Sequence, residues 1–596
     1  MTEQDGNNVT PGNSGKGAKG ARAQAGAGET GQQPSAPRAA AGQGEQRQEP
    51  DRQAQPQPGG RGVRSGWGRY LVAPRPLGLL AGGVPPIEAS ALFALLEEDP
   101  EVEPVAQVRP PRSRGLGAIA EPPPACPPVA VVAMPEERAR ALAANPQVVV
   151  EIDQPLSYLP TPLVGLGPVP MIDPMLAVTL EEPQQFTLRV VGSDGDEVAD
   201  AHVWATGSSG PVHGVTGPDG RVTLTLAADT PETLQALYVR PLSGYWPTRT
   251  AIPQPSAGGE AVVQVQALSD TFEGFPGRAL TGWGTQAMRL NQIPPTYRGH
   301  GIRIALLDSG VNTGHPDLKD TVQHGHDFTG TGHGTWGVDA TGHGTWCAGI
   351  MAAADNRTGI AGIAAEAELH ALKLFPGGHL SNLLEAVDYC ITHDIDIAQL
   401  NLAYTTPSQL AAWKLADAHA AGITVIAPAG NTAGPLTHPA TLPGILAVGA
   451  LAHTGTYPPS SPLTAIQPPW PGPYPAPFTP TAPGVDLIAP GAAVITTAPG
   501  DGYAAVDGTA FAAAHVTGLA ALLLAHHDHL RTQVMPRTAT RADHLYLLLR
   551  TACRPLPGAD PRTGAGIADA PTALGIPTTW QAEQAYTAAG QARPDA

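Results

Sequence analysis

Between residues 302 and 451 five short apolar runs recur: IRIALLD, ELHALKLF, IDIAQLNLAY, ITVIAPAG and ILAVGAL. None alternates strictly between polar and apolar residues, so none reads as a strand with one wet face. Continuous runs of this length belong to strands of a parallel sheet covered by helices on both sides. Two of the intervening stretches, LLEAVDYCITHD and LAAWKLADAHAAG, have helical spacing, and the second stops at Gly422. The order predicts an α/β, doubly wound parallel-sheet domain over residues 277–577.

The chain of 596 residues is too long for one core, so other domains should precede this one. Residues 1–65 are Gly, Gln, Ala, Pro and Arg with almost no large apolar side chains, the composition of a disordered low-complexity tail. Residues 66–160 read strand, helix, strand, strand, helix, strand, from YLVAP to QVVVEIDQPL, which predicts a small ferredoxin-like α+β unit. A Pro-rich linker at 161–183 leads to FTLRVV, AHVWAT, RVTLTLA, ALYVRP and AVVQVQA, with Asp194-Gly195 and Asp219-Gly220 as tight turns. Residues 184–270 are therefore expected to form a β-sandwich of the Ig-like or carboxypeptidase-regulatory-like kind, without chemistry of its own but with a surface for a protein partner. Residues 578–596 are a C-terminal tail.

The net charge of −18 and the absence of a basic run argue against a nucleic-acid partner. Four cysteines are scattered without metal-ligand spacing. The N-terminus has no apolar segment of a secretory signal, so a cytoplasmic location is expected, with a non-standard export route as the other option. No apolar run approaches the ~20 residues of a membrane span.

In doubly wound sheets the reactive groups gather at the carboxyl ends of strands. Asp308 ends IRIALLD, and Asn431 follows ITVIAPAG. His343 opens the small-residue stretch HGTWCAGIMAA, and Ala510 opens AFAAAHVTG. An aspartate can orient an imidazole, the imidazole can take a proton from a hydroxyl, and an Asn amide can hold an oxyanion. Three of the four parts stand in the sequence, and the position for the hydroxyl holds alanine.

The blocks DSGVNTGHPDL, GHGTWCAGI…DNRTGIAGIA, APAGN, VDLIAPG and DGTAFAAAHVTG resemble, in order, those of the subtilisin-like serine proteases. The resemblance implies Asp308 as orienter, His343 as general base, Asn431 as oxyanion donor and position 510 as the nucleophile's place. It implies a polypeptide substrate lying along Asn401-Leu402-Ala403 with Gly430 at the pocket before the scissile bond. No cofactor is implied for the chemistry, while Asp317 and Asn356 match two ligands of a structural calcium site. The 66–160 unit resembles the family's propeptide, an inhibitory partner in the cleft, with DQPLSYLP as the tail that crosses it. Of two TGHGTW repeats only the second runs into a helix-forming stretch, which selects His343 over His333. His324 and His326 lack zinc spacing, and Cys347 reads as a buried small hydrophobe. Two accounts fit Ala510: a zymogen-type protease with an engineered serine-to-alanine change, or a natural pseudoprotease that binds peptides uncut. The intact Asp308, His343 and Asn431 favour the first, and Ala514, where the family often has Pro, leans to the second.

Overall fold

The computed structural model describes residues 64–577, except 81, 110–124, 160–182, 208–209, 228, 255–259, 331–334, 482, 532–533 and 559. The chain divides into two units, 1–61 and 62–596, and every described residue belongs to the second. The N-terminal tail up to residue 63, the linker up to residue 182, the 578–596 tail and His333 thus lie outside the described residues.

The first part contains β1 (Gly68–Pro74), α1 (Ala89–Glu98), β2 (Glu103–Val108), β3 (Val129–Met134), α2 (Glu136–Ala143) and β4 (Val148–Ile152). The strands pair antiparallel in the order β2-β3-β1-β4, the arrangement that the βαββαβ pattern implies. Strand periodicity divides the side chains between two cores. Val72, Val132 and Met134 pack under Leu92, Leu96 and Ala139 of the unit's own helices. Leu71, Ala73, Val129, Val131 and Val149 face the other way and join Leu383, Leu384, Ala411 and Leu415 of the third part. That is why VAVVAM is apolar at every position.

The second part comprises β5 (Gln184–Gly192), β6 (His202–Thr206), β7 (Pro211–Val215), β8 (Arg221–Leu226), β9 (Ala236–Arg240), β10 (Thr248–Thr250) and β11 (Ala261–Val265). They form two sheets, β10-β9-β6-β7 and β11-β5-β8, around Leu188, Val190, Val203, Leu224, Leu237 and Val239. Two of these strands had no sequence signal: β7, which begins with proline and contains glycine, and the three-residue β10. Tyr238 and Arg240 alternate with the inward-facing residues of β9 and so stand on the outer face. Tyr238 is nevertheless buried. The outer side lies against the third part, where Gly244 N–H donates to the Tyr503 carbonyl (2.7 Å) and Arg249 N–H to that of Ser460 (3.0 Å). Trp246 is incorporated into the third part's core.

The third part contains β12 (Arg303–Asp308), β13 (His324–Asp327), β14 (Glu368–Lys373), β15 (Ile397–Leu400), β16 (Thr424–Pro428) and β17 (Ile445–His453). They run parallel in the order β13-β14-β12-β15-β16-β17, and Leu487–Pro490 extends the sheet beyond β17. From β12 the chain moves to β14 on one side and then returns to place β15 on the other. The carboxyl end of β12 is therefore a topological switch point, where such sheets open a crevice. Asp308 is its last residue. Helix Thr509–His526 is, among the described residues, the one long and apolar enough to cross a membrane, yet 89% of it is buried inside this domain.

Candidate active site

Asp308 is 1% exposed and its carboxylate is saturated with donors. Oδ1 accepts the Ser309 N–H (2.7 Å) and Oδ2 the Asn401 side-chain amide (2.8 Å). His343 Nδ1 lies 2.9 and 2.8 Å from the two oxygens and donates to them. Burial opposes the imidazolium, but the charge and hydrogen bond of Asp308, with the charge of Asp339, outweigh it and hold His343 above the ordinary imidazole value. This is the polarity a general base needs.

Helix His343–Ala352 is brought to Asp308 by two local devices. Asp339 caps its start, accepting the Gly342 N–H (2.9 Å), the Thr345 N–H (2.9 Å) and the Thr345 hydroxyl (2.7 Å). Gly344 lets the helix press on the loop after β12, since a Cβ there would stand 2.0 Å from the Gly310 carbonyl oxygen. Gly344→Ala should therefore separate His343 from Asp308 and lower stability by about 2–4 kcal/mol through overpacking. Thermal melting reads the result, and a Tm within about 2 °C of the parent would contradict the argument.

Ala510 lies in the first turn of the central helix, preceded by Gly508 at φ +155°. A Cβ on Gly508 would stand 3.3 Å from Asn431 Nδ2. Asn431 Oδ1 accepts both the Thr509 N–H and hydroxyl at 2.9 Å, which turns its amide nitrogen towards Gly508. His343, Asn431, Gly508 and Ala510 line one cavity of about 20 Å³. The four expected catalytic positions are thus brought together, with a methyl group where a hydroxyl would complete the set.

The tail after β4 enters this cavity. Ser157 and Ala403 exchange two backbone hydrogen bonds (2.9 and 2.8 Å), and Leu156 N–H donates to the Gly378 carbonyl (2.9 Å). Tyr158 lies over His343 with ring centroids 5.7 Å apart and against Phe375 at 4.2 Å. Leu159 reaches the cavity beside Ala510. Two carboxylates of the same segment hold it. Glu151 accepts the Gln409 N–H (2.8 Å) and the Ser408 hydroxyl at the start of helix Gln409–Ala420. Asp153 accepts the Ser381 N–H and hydroxyl, both at 2.8 Å, in the first turn of helix Leu380–Thr392. Helix N-termini favour such anions.

Of the three residues expected along the substrate backbone, Ala403 makes the strand contact with the tail. Leu402 shares an apolar cluster with Leu156. Asn401 has a further use: its side chain is buried on Asp308 and Cys347 Sγ (3.2 Å), and Gln399 Nε2 joins its Oδ1 (2.9 Å) to the Ala510 carbonyl (3.1 Å). Sequence reading missed this relay, although polar residues two apart in an apolar strand were its signal. Gly430 N–H donates to Thr509 Oγ1 (3.2 Å), beside the cavity.

Asp317 and Asn356 do meet, but as hydrogen-bond partners. Asn356 donates its amide to Asp317 Oδ1 (2.8 Å), Tyr503 OH donates to Oδ2 (2.8 Å), and the Asn356 oxygen accepts from Thr358. Calcium requires six or more converging oxygens, and this donor set does not fit it. Asp308, His343 and Cys347 have potential ligand atoms within 4.8 Å of one another. Burial, reinforced by Asp308, raises Cys347 well above the ordinary thiol value, and the Asp308 oxygens already accept from Ser309, His343 and Asn401.

A sequence model of the Subtilase family (Peptidase_S8) matches residues 299–574. Subtilisin Savinase of Lederbergia lenta is 33% identical over 257 residues, which is 40% of this chain and 83% of the relative. M-protease of Shouchella clausii (strain KSM-K16) is 33% identical over 257 residues, again 40% of this chain, but 59% of its own length is spanned. Subtilisin E of Bacillus subtilis (strain 168) is 30% identical over 267 residues, 42% of this chain and 62% of the relative. The chain belongs to the subtilase family, and its third part is a subtilisin-like domain.

Proposed function

We propose that this chain is a subtilisin-like serine endopeptidase scaffold in zymogen form, with residues 66–159 as an inhibitory propeptide and polypeptide as its substrate class. As it stands, with Ala510, it holds peptide without cutting it. The observation that carries the reading is the Asp308–His343 pair facing Ala510 while residues 155–159 of the same chain lie along the cleft. Asp308 fixes the imidazole, His343 would accept a hydroxyl proton, and Asn431 would donate to the oxyanion. No cofactor enters this chemistry.

The test is Ala510→Ser. Once the 66–159 segment has been released, a serine-directed phosphonylating reagent should label position 510 and a zinc chelator should not prevent it. The acid limb of kcat/KM should have its midpoint above the ordinary imidazole value of 6.5, because the native environment of His343 favours its proton. Activity is then lost as pH falls through that raised value. A protein that takes up no reagent and cuts no unfolded polypeptide would overturn the reading. The second account, a natural pseudoprotease, shares the same binding geometry and predicts peptide capture without that gain.

A further inference from the structure

On the sheet face that meets the central helix, β15 presents Ile397 and Gln399, with Asn401 just beyond its end. Ile397 belongs to the apolar core shared with Ala510 and Phe511. Gln399 and Asn401 are fully buried as well, although each carries an amide that burial penalises. The direction of both amides follows from Asp308. A carboxylate only accepts, so Asn401 turns its nitrogen to Asp308 Oδ2 (2.8 Å) and its oxygen towards Gln399. Gln399 must then present its own nitrogen, which donates to Asn401 Oδ1 (2.9 Å) and to the Ala510 carbonyl (3.1 Å). Its oxygen, Oε1, is left buried with no hydrogen-bond partner among the described residues. An unpaired buried acceptor costs stability, and apolar residues at both positions would avoid that cost. Stability therefore does not account for the pair.

We propose that Gln399 and Asn401 are positioning residues that tie the backbone of position 510 to the Asp308–His343 pair. The inference rests on the proteolytic reading of the site. Contacts run from the Ala510 carbonyl through Gln399 and Asn401 to Asp308, whose carboxylate accepts from His343. The second hydrogen of the Asn401 amide goes to Cys347 Sγ (3.2 Å), on the helix that begins with His343. Gln399 itself lies opposite Leu306, two residues before Asp308 on the neighbouring strand. The relay thus touches the strand of Asp308, the helix of His343 and the helix of position 510. Neither amide touches the atoms that would react. What they fix is the distance between an imidazole on one helix and a side chain on another, where a shift of about 1 Å can cost about a hundredfold in rate.

The experiment starts from the full-length Ala510→Ser chain and follows its self-cleavage. Gln399→Met keeps the volume and removes the donor. It should slow cleavage about a hundredfold while the Ser157 and Ala403 amides exchange as in the parent, because the tail still docks. A merely structural role would instead loosen Ala403, two residues beyond Asn401, and lower the melting temperature with it. A rate within about threefold of the parent, or a slower rate with equally lost protection, would overturn the proposal. If the Ala510→Ser chain neither cuts itself nor takes up the phosphonylating reagent, it is the proteolytic reading that fails. Positioning is then decided in the Ala510 chain by NMR of its histidines, with His343 assigned by its loss in His343→Gln. Asp308 deprived of a donor attracts the imidazolium more strongly, so Asn401→Ala should raise the His343 midpoint by about one unit and Gln399→Met by less. Asp339 and Arg240, the other charges felt by His343, and its neighbours Tyr158 and Cys347 are the same in every variant. A midpoint unmoved by Gln399→Met would overturn the proposal.

Discussion

A full-length chain carrying Ala510→Ser together with Pro160→Ala should cut itself at one bond, the one that follows Leu159. The backbone register assigns that bond. Ser157 pairs with Ala403, Tyr158 covers His343, and Leu159 stands beside residue 510. With Pro160 in place the same bond should be about a hundredfold slower, because a tertiary amide has a constrained ring on the nitrogen that His343 must protonate as it leaves. The gain from the serine itself should be about a millionfold, the scale known for removal of the nucleophile in subtilisin, a relative of this chain. Mass spectrometry of the incubated protein gives the new N-terminus. A first cut near Phe275 would mean that the sandwich leaves together with residues 66–159, and the assignment of the bond would be wrong.

Replacing Glu151 and Asp153 together by alanine should loosen the tail from the cleft about a thousandfold. Each carboxylate makes charge-assisted hydrogen bonds to a helix start, and each such set contributes roughly 2 kcal/mol. Asp153 also pairs with Arg69 inside its own unit, so part of its effect falls on that unit's stability. Hydrogen exchange of the Ser157 and Ala403 amides in the intact Ala510 chain measures the docking directly. A change below about tenfold would show that the apolar face, and not the two caps, holds the segment.

The subtilisin-like domain was legible because its signals are local. Asp308 ends an apolar strand, and His343 and Ala510 begin helices made of small residues. The ferredoxin-like order was legible for the same reason. What stayed hidden depends on docking. Nothing in ALYVRP says that its outward residues, Tyr238 and Arg240, meet a neighbouring domain, and the sandwich was expected to stand apart from the chemistry. Its place beside Ala510 comes from packing between segments about 270 positions apart (510 − 238 = 272). Asp317 and Asn356 show the converse. Their residue types suit a cation, but the donors Tyr503 and Thr358, far and near in sequence, turn the pair into a hydrogen-bonded clasp.

The four-stranded sheet of the first part has two dry faces, and one of them is completed by the helices of the subtilisin-like domain. On the zymogen reading, that sharing opposes release, because detachment would return an apolar face to water. Once detached, the unit presents Leu71, Val129, Val131 and Val149 to water, and its own small core must stand alone against chain entropy. A loosened unit is therefore a better target for unfolding and digestion than a docked one. On the same reading, digestion would remove the competitor from the cleft, and the irreversible step would be that cleavage and not the detachment.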